Sequence, residues 1–393
     1  MALGTRVVWA SDFTRYDFGP SHPMTPVRLE LTAALCRQLG LFDLEQVELA
    51  GAEVASDDTL AVLHDRDYIA AVKAASLDPE NADTSRGLGT EDDPAFVGIH
   101  EASARIVQAS LECAEAVWSG QVQHAVNFCG GMHHAMAGRA SGFCVYNDAA
   151  LAIHRLLGLG AKRVVYVDVD VHHGDGTESF FVDDPRVMTI SVHETGRLLF
   201  PGSGFADDMG GPNAIGDTVN LPLPPWVSGG EWLRSIQAVV PALVRAFDPD
   251  VLVTQHGCDT HKLDPLAHLS VSVDAQRLAA EMLHDLAHEV CGGRWLATGG
   301  GGYEIIDVVP RSWTHLVAIA AHAPLDPATA VPQAWLDEVQ QRFGRQAPAT
   351  MSDGDACEYE TWGSHDPESM VDRAVMVTRK AIFPLHGLDP WFD

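Results

Sequence analysis

One strand-like segment constrains this chain more than any other: Arg-Val-Val-Tyr-Val-Asp-Val-Asp-Val-His at residues 163–172. Side chains two positions apart on a strand share a face, so its valines line one side. A strand apolar on both faces is typical of a parallel sheet covered by helices. Asp168, Asp170 and His172 alternate with valines, which predicts that they share the other face of this strand, and buried carboxylates need a cation or hydrogen-bonding partners. The segment therefore predicts a parallel α/β fold with a polar site at its strand ends.

The rest of the chain repeats this alternation of strands and helices. Apolar segments with the length of buried strands lie at 125–129, 163–171, 187–192, 251–254 and 295–298. Helical spacing is found at 27–40, 98–118, 148–157, 231–247, 275–290 and 371–382. This order predicts an open, mostly parallel, doubly wound α/β sheet flanked by helices in a single domain. We assign 1–322 to a catalytic domain and 323–393 to a C-terminal extension packing on it, with 347–355 as a loose surface loop.

The composition is typical of a globular protein and limits the classes of partner that the chain is expected to bind. Hydrophobic residues make up 46% and charged residues 20%, as in a packed domain rather than a disordered chain. Acidic residues outnumber basic ones by 54 to 25, and such a surface repels nucleic-acid phosphates and anionic lipid. No apolar run reaches the ~18 residues of a membrane span. We expect a cytoplasmic protein without nucleic-acid or membrane partners, whose acidic surface serves solubility or attracts cationic partners.

Metal-ligand side chains follow two of the predicted strands. Ligands of doubly wound sheets collect beyond the carboxyl ends of the strands, where Asp170, His172 and Asp259 fall. Two carboxylates, one imidazole and an open position describe a catalytic zinc site, and this oxygen-rich set also suits Fe²⁺, Co²⁺ or Mn²⁺. Taken singly, each aspartate has an ordinary alternative role as a helix cap or an ion-pair partner. Their combination predicts a metal site.

Two adjacent histidines and a tyrosine complete the candidate chemistry. His133 and His134 follow a Gly-Gly turn, and imidazoles titrate near neutrality, as general bases and acids require. Asp168 and Asp175 are the nearby acids that could orient them. Tyr303 follows four glycines, and its phenol could donate a hydrogen bond to a developing oxyanion. Surface polarity for the histidines, and packing over glycine for the tyrosine, are the plain alternatives.

Short motifs spread from about Tyr16 to Leu316 carry a family resemblance. They are Ser-His-Pro-Met-Thr-Pro-Val-Arg-Leu (21–29), Glu-Asp-Asp-Pro (91–94), Gly-Gly-Met-His-His-Ala (130–135), Ser-Gly-Phe-Cys-Val-Tyr-Asn-Asp (141–148), Asp-Val-Asp-Val-His-His-Gly-Asp-Gly (168–176), Phe-Pro-Gly-Ser-Gly (200–204), Asp259 with Asp264-Pro-Leu, and Gly-Gly-Gly-Gly-Tyr (299–303). Together they resemble the histone deacetylase family of metal-dependent lysine deacetylases, especially its class I branch and the bacterial acetoin-utilisation deacetylases. The resemblance implies an arginase-like open α/β fold.

The resemblance also implies a role for each matching residue. Asp170, His172 and Asp259 match the zinc ligands, and Tyr303 matches the phenol that polarises the carbonyl. His134 with Asp175 matches the general base and acid, and His133 with Asp168 matches its electrostatic partner. Substrate-binding positions match Asp92, Gly142, Phe143, Phe200, Leu266 and Arg28. A structural potassium ion would use Asp168, Ser191 and Val192, together with backbone carbonyls of Asp170 and His172.

The implied reaction is hydrolysis of an N-ε-acetyl-lysine in a protein or peptide to lysine and acetate, with a cytoplasmic metabolic protein as the expected target. An acetylpolyamine amidohydrolase is the first alternative, although no loop insertion of the kind such enzymes carry lies between 97 and 130. A catalytically inactive acyl-lysine binding module is the second. His134, Asp175 and Tyr303 argue against that alternative because binding alone does not need them. The sequence leaves the acyl-chain preference, the native metal and the oligomeric state open.

Overall fold

One parallel sheet forms the centre of the protein, whose computed structural model describes residues 4–363 and 369–393. Its strands in this part of the chain are β1 (Thr5–Val8), β2 (Val47–Ala50), β3 (His124–Asn127), β4 (Val164–Asp168), β5 (Val187–Glu194), β6 (Thr218–Leu223), β7 (Val251–Gln255) and β8 (Trp295–Thr298). The spatial order is β2-β1-β3-β8-β7-β4-β5-β6, with parallel pairing throughout. This architecture confirms the predicted open α/β fold.

Helices connect the strands and cover the sheet. They are α1 (Val27–Gln38), α2 (Asp57–Leu60), α3 (Arg66–Leu77), α4 (Ile99–Ser119), α5 (Asp148–Leu159), α6 (Asp175–Phe181), α7 (Gly229–Phe247), α8 (Val273–Cys291), α9 (Val309–Ala320), α10 (Gln333–Phe343) and α11 (Met370–Ile382). α7 begins with a capping box, in which Ser228 and Glu231 satisfy each other's backbone N–H groups. In the described residues, no helix has the length and apolar character needed to cross a membrane.

Three strands, β1, β2 and β6, were not predicted from the sequence. β2 and β6 are the two edges of the sheet, where the hydrophobic signal is weak. β1 carries Arg6, which pairs with Glu48 of β2 at 3.0 Å, and β6 includes Pro222. Polar cross-strand pairs and proline interrupt the pattern by which buried strands are recognised.

The predicted strand 163–171 ends earlier than expected, at Asp168. The Asp168 carboxylate accepts a hydrogen bond from the backbone N–H of Asp170, at 3.1 Å. The Asp170 carboxylate in turn accepts one from the backbone N–H of His172, at 3.0 Å. Such local side-chain acceptors compete with the sheet ladder and turn the chain. Asp170 and His172 therefore lie in the loop after β4, and the prediction that they share a strand face was wrong.

The C-terminal residues pack closely on the rest of the protein. Trp335 of α10 donates its indole N–H to the Leu31 carbonyl of α1, at 3.0 Å, and Thr378 of α11 donates to the Asn220 carbonyl of β6, at 2.8 Å. The prediction of a loose loop at 347–355 was wrong, because Met351 is fully buried. Asp353 also accepts hydrogen bonds from Arg311 and His261, at 2.6 and 2.7 Å.

Candidate metal centre and active site

The loops that follow β4 and β7 bring three metal-ligand side chains together. These two strands are neighbours in the sheet, so residues beyond their carboxyl ends meet. Ligand atoms of Asp170, His172 and Asp259 all lie within 4.8 Å of one another. His172 Nδ1 is 3.2 Å from Asp170 Oδ1 and 3.1 Å from Asp259 Oδ2. The structure thus places side by side the three residues that the sequence analysis assigned to one ion.

The electrostatics of this group favour a cation. Asp170 and Asp259 are fully buried, and within the described residues their ion-pair partners are histidines alone. Burial lowers the pKa of His172, but hydrogen bonds to both aspartates outweigh it and raise that pKa to about 10. Gln255 Nε2 and the Gly301 N–H each donate to Asp170 Oδ2, at 2.8 Å. Two carboxylates and one imidazole form a donor set that fits a divalent ion such as zinc.

The pKa values of two adjacent histidines next to this group are shifted in opposite directions. His133 Nδ1 lies 2.8 Å from Asp168 Oδ2, and His134 Nδ1 lies 2.7 Å from Asp175 Oδ1. Burial lowers the pKa of His133, but Asp168 and Asp170 together raise it to about 9. Burial and the neighbouring His133 lower the pKa of His134 to about 4. At neutral pH one imidazole is therefore a cation and the other a neutral proton acceptor.

Glycines let the backbone approach these side chains. A Cβ at Gly301 would lie 2.0 Å from Asp259 Oδ2, so no other residue fits there without displacing it. Gly142 has φ +56°, and a Cβ there would lie 2.3 Å from the His134 ring. The Gly-rich loop ends at Tyr303, whose backbone N–H donates to Asp264 Oδ2 at 2.8 Å. Arg28 is buried below this loop and donates to the Gly300 carbonyl at 2.7 Å.

Aromatic rings flank the histidine and the tyrosine. The Phe200 ring is 5.0 Å from the His134 ring, centre to centre, and the Phe143 ring is 5.6 Å from that of Tyr303. Phe200 is 42% exposed, so this pocket reaches the surface. Asp92 Oδ2 accepts a hydrogen bond from the Gly142 N–H, at 2.8 Å. The expected substrate-binding residues Phe143, Phe200, Gly142 and Asp92 are therefore linked by contacts around His134 and Tyr303.

The remaining predicted residues lie close to this site. Asp168 and Ser191 are partners in the β4–β5 register, with Val192 next along β5. Asp168 Oδ2 accepts hydrogen bonds from both Tyr166 and His133, and potassium binding here stays a prediction. Leu266 lies in the loop after Asp259, where its N–H donates to Asp264 Oδ1 at 3.0 Å.

Several contributing residues were given no role from the sequence, although three of them lie in its family motifs. Gln255 ends β7 and reaches Asp170, and its signal is a polar residue at the carboxyl end of an apolar strand. The carboxylate of Asp148, beneath the histidine loop, accepts from the N–H groups of Gly131 and Met132. Burial and the nearby Asp259 raise the pKa of Asp264 to about 8. Asp93 is fully buried, and burial together with Asp92 raises its pKa to about 9. Only the tertiary fold shows these contacts.

Comparison with known proteins defines the class to which this site belongs. A family model described as the histone deacetylase domain matches residues 22–320. The chain belongs to the histone deacetylase family, and it is a hydrolase of the deacetylase type. The crystal structure of the HDA15 HD domain matches with a TM-score of 0.75 and 27% identity, covering 88% of this chain and 94% of that one.

Bacterial relatives share more of the sequence. The acetoin utilization protein AcuC of Bacillus subtilis (strain 168) is 39% identical over 348 residues, which cover 88% of this chain and 89% of the relative. AcuC of Staphylococcus xylosus is 37% identical over 356 residues, covering 90% of this chain and 91% of the relative. The similarity therefore spans most of the length of both relatives.

Proposed function

We propose that this protein is a zinc-dependent lysine deacetylase, which hydrolyses an N-ε-acetyl-lysine in a protein or peptide to lysine and acetate. One observation carries the proposal. The buried group of Asp170, His172 and Asp259 lies beside His134, an imidazole that stays neutral at physiological pH. A cation site next to a neutral proton acceptor is what amide hydrolysis requires.

Asp170, His172 and Asp259 would hold the metal. When bound, a divalent ion supplies Lewis acidity, which polarises an acyl oxygen and makes water more acidic. Gln255 and the Gly301 N–H hold the Asp170 carboxylate in place, and such outer contacts typically change metal affinity or activity ~10–100-fold. A structural potassium ion at Asp168, Ser191 and Val192 belongs to the same proposal.

The proton acceptor in this proposal is His134. Its Nδ1 is held by Asp175, which fixes the tautomer and leaves Nε2 to take a proton from the attacking water. His133 is cationic at neutral pH, so it stabilises negative charge that develops nearby. Burial, followed by Asp259 and Asp170, raises the pKa of Tyr303 well above its usual value. Its phenol therefore stays protonated and donates a hydrogen bond to the developing oxyanion.

The pocket supports a neutral, chain-like substrate. Phe143 and Phe200 offer apolar faces to the methylene chain of a lysine side chain, whose charge acetylation removes. Asp92 would bind the substrate backbone at the rim, and Arg28 would line an inner channel for acetate. We propose a cytoplasmic metabolic protein as the target, supported by the relatives' role in acetoin utilisation, which their names state.

A kinetic comparison tests the proposal. The zinc-loaded protein is assayed with an acetyl-lysine peptide, with propionyl- and butyryl-lysine peptides, and with acetylspermidine. We expect turnover of the acetyl-lysine peptide that a chelator abolishes and added zinc restores. A clear preference for acetylspermidine would instead identify a polyamine amidohydrolase, which the net charge of −29 would suit. Peptide binding without turnover would identify a binding module.

A further inference from the structure

Four histidines from distant parts of the chain meet at the other end of the sheet. His124 is the first residue of β3, His284 and His288 lie one turn apart on α8, and His322 follows α9. We name this group the basal histidine cluster, because β3 begins here and ends beside the candidate active site. We propose that the basal histidine cluster binds one divalent transition-metal ion, for which zinc is the reference, through four imidazoles.

The spacing of the four rings fits a common central ion. One ligand nitrogen from each histidine lies within 4.8 Å of the others. The six distances between ring centres fall between 4.5 and 5.4 Å. His124 Nε2 and His288 Nε2 are 3.1 Å apart. Tetrahedral zinc with Zn–N bonds of ~2.0–2.1 Å places its ligand nitrogens ~3.3 Å apart. One pair of nitrogens is already near this spacing, and the other pairs would have to close to it from at most 4.8 Å.

The hydrogen bonds of the cluster leave two of its four histidines with an unpartnered Nε2, while His124 Nε2 and His288 Nε2 are hydrogen-bonded to each other. His284 Nε2 and His322 Nε2 are buried and accept or donate no hydrogen bond within the described residues. His124 Nδ1 lies 2.7 Å from the Ala320 carbonyl, and His284 Nδ1 lies 3.1 Å from Asp285 Oδ1. These outer acceptors take the Nδ1 protons, so that Nε2 carries the lone pair in both rings. The lone pair of His284 has no partner, and that of His124 accepts from His288 Nε2, a contact that an ion would replace. Buried polar atoms usually have a partner, and here a metal ion would supply it.

Ring packing alone does not explain this arrangement. Trp295 contacts His124 and His284 with ring centres 5.5 and 5.6 Å apart, which accounts for burial of the rings. Trp295 makes no hydrogen bond with His284 Nε2 or His322 Nε2, the two buried nitrogens that lack a partner within the described residues. His322 has φ +53° in the turn that ends α9, where its N–H donates to the Ile319 carbonyl and that of Ala323 to the Ala318 carbonyl, so the backbone itself fixes the position of this ring.

The ligand set indicates a structural role for the ion. Four protein ligands fill a tetrahedral site and leave no position for substrate, unlike the three ligands of a catalytic site. Imidazole nitrogens suit zinc, copper and nickel better than calcium or magnesium. An ion here would join the start of β3, the last turns of α8 and the turn after α9.

Metal counting tests the proposal directly. Tag-free protein is dialysed against zinc, freed of excess ion, and its zinc content per chain is measured by elemental analysis. We expect the wild-type chain to hold one equivalent more than the variant His284→Gln/His288→Gln. The control His154→Gln changes an exposed histidine of α5 and should match the wild type. Equal zinc content in the wild type and the double variant overturns the proposal.

The Asp259→Ala background separates the two sites. In that background, the one equivalent of zinc that the chain still binds should be at the basal histidine cluster. Cobalt bound in its place should give the visible absorption of a tetrahedral site with four nitrogen ligands. Adding His284→Gln/His288→Gln should remove both the cobalt signal and any zinc-induced rise in melting temperature. Circular dichroism checks the fold, and if the double variant is unfolded, the single variant His288→Gln decides on the same criterion. A cobalt spectrum unchanged by the histidine substitutions contradicts the proposal.

Discussion

Asp170, His172 and Asp259, here named the carboxyl-edge group, lie at one end of the sheet, and the basal histidine cluster lies at the other. The two groups differ in their metal-donor atoms. Asp170, His172 and Asp259 combine two carboxylates with one imidazole, and backbone and side-chain N–H groups donate to the carboxylates. The basal histidine cluster has four imidazoles, oriented at two positions by oxygen acceptors. The first group contains two acidic side chains and offers three ligands, whereas the second contains none and offers four. A three-ligand set suits chemistry on a substrate, and a closed set suits stability.

The largest expected effect is the loss of turnover when the carboxyl-edge group alone is disrupted. Asp259→Ala removes one of three ligands, so turnover should fall by more than the ~10²–10³-fold that the loss of one oxyanion donor typically costs. The melting temperature should change little, because the substitution also relieves repulsion between two buried carboxylates. Turnover and zinc content measured on one sample check this prediction. Retention of normal activity would move the metal ligand elsewhere.

A smaller loss of turnover is expected from a substitution next to the carboxyl-edge group that affects catalysis but not metal binding. Tyr303→Phe removes the phenol hydroxyl but keeps the ring against Phe143, so the zinc content should equal that of the wild type. Losing one oxyanion donor typically costs ~10²–10³-fold in rate, and we expect a fall in kcat of this size with KM nearly unchanged. Steady-state kinetics with an acetyl-lysine peptide measure it. An unchanged kcat would remove Tyr303 from the chemistry.

The basal histidine cluster should show the reverse pattern. His284→Gln/His288→Gln should leave kcat within about twofold, since within the described residues the ring contacts of both histidines go to one another, His124, His322 and Trp295, but it should lower stability. An ion that binds only the folded chain contributes about 2.7 kcal/mol at a free concentration ~100-fold above its dissociation constant. Urea unfolding of the two proteins with and without zinc measures the difference. A zinc effect of equal size in both proteins would show that the stabilisation comes from elsewhere.

The smallest expected effect is a difference between the two groups in how folding stability depends on pH. Burial, followed by the neighbouring histidines, lowers the pKa of His124 to about 3. An unfolded histidine titrates near ~6.5, so below that pH the unfolded chain binds more protons and the folded state loses stability. Between pH 6.5 and 5 the zinc-free protein should lose up to ~2 kcal/mol through this group.

His124→Asn tests that pH effect, because asparagine keeps a donor for the Ala320 carbonyl. The free energy of unfolding of the zinc-free variant should fall less between pH 6.5 and 5 than that of the wild type. Equal slopes would mean that His124 is protonated in the folded protein. The carboxyl-edge group is expected to behave differently, since its aspartates keep the pKa of His172 near 10.

Much of the fold was predictable because its central strands are buried on both faces. β8 coincides with the predicted segment 295–298, and β7 differs by one residue. The edge strands were missed because polar residues and proline interrupt them. The loose loop predicted at 347–355 was wrong for a related reason: Asp353 is polar in sequence, but partners far away in the chain hold it in a partly buried position.

The two clusters differ most in how far the sequence predicts them. Asp170, His172 and Asp259 follow apolar strands, so strand order alone indicates that they meet. In the basal histidine cluster, only the spacing of His284 and His288 on one helix is visible locally. His124 and His322 lie far from them in the chain, and their approach depends on the pairing of β3 with β8. Physical proximity created by tertiary packing leaves no local pattern.

The strand order described above also determines when each cluster can form during folding. β3 pairs with β8 although 167 residues lie between the end of one strand and the start of the other (from Asn127 to Trp295), and His172 and Asp259 of the carboxyl-edge group are 87 positions apart. Contacts between remote segments form slowly, because the loop between them must first be closed. An ion at either proposed site would therefore bind only after these distant segments have come together. Zinc supplied after refolding should therefore recover as much native protein as zinc present from the start.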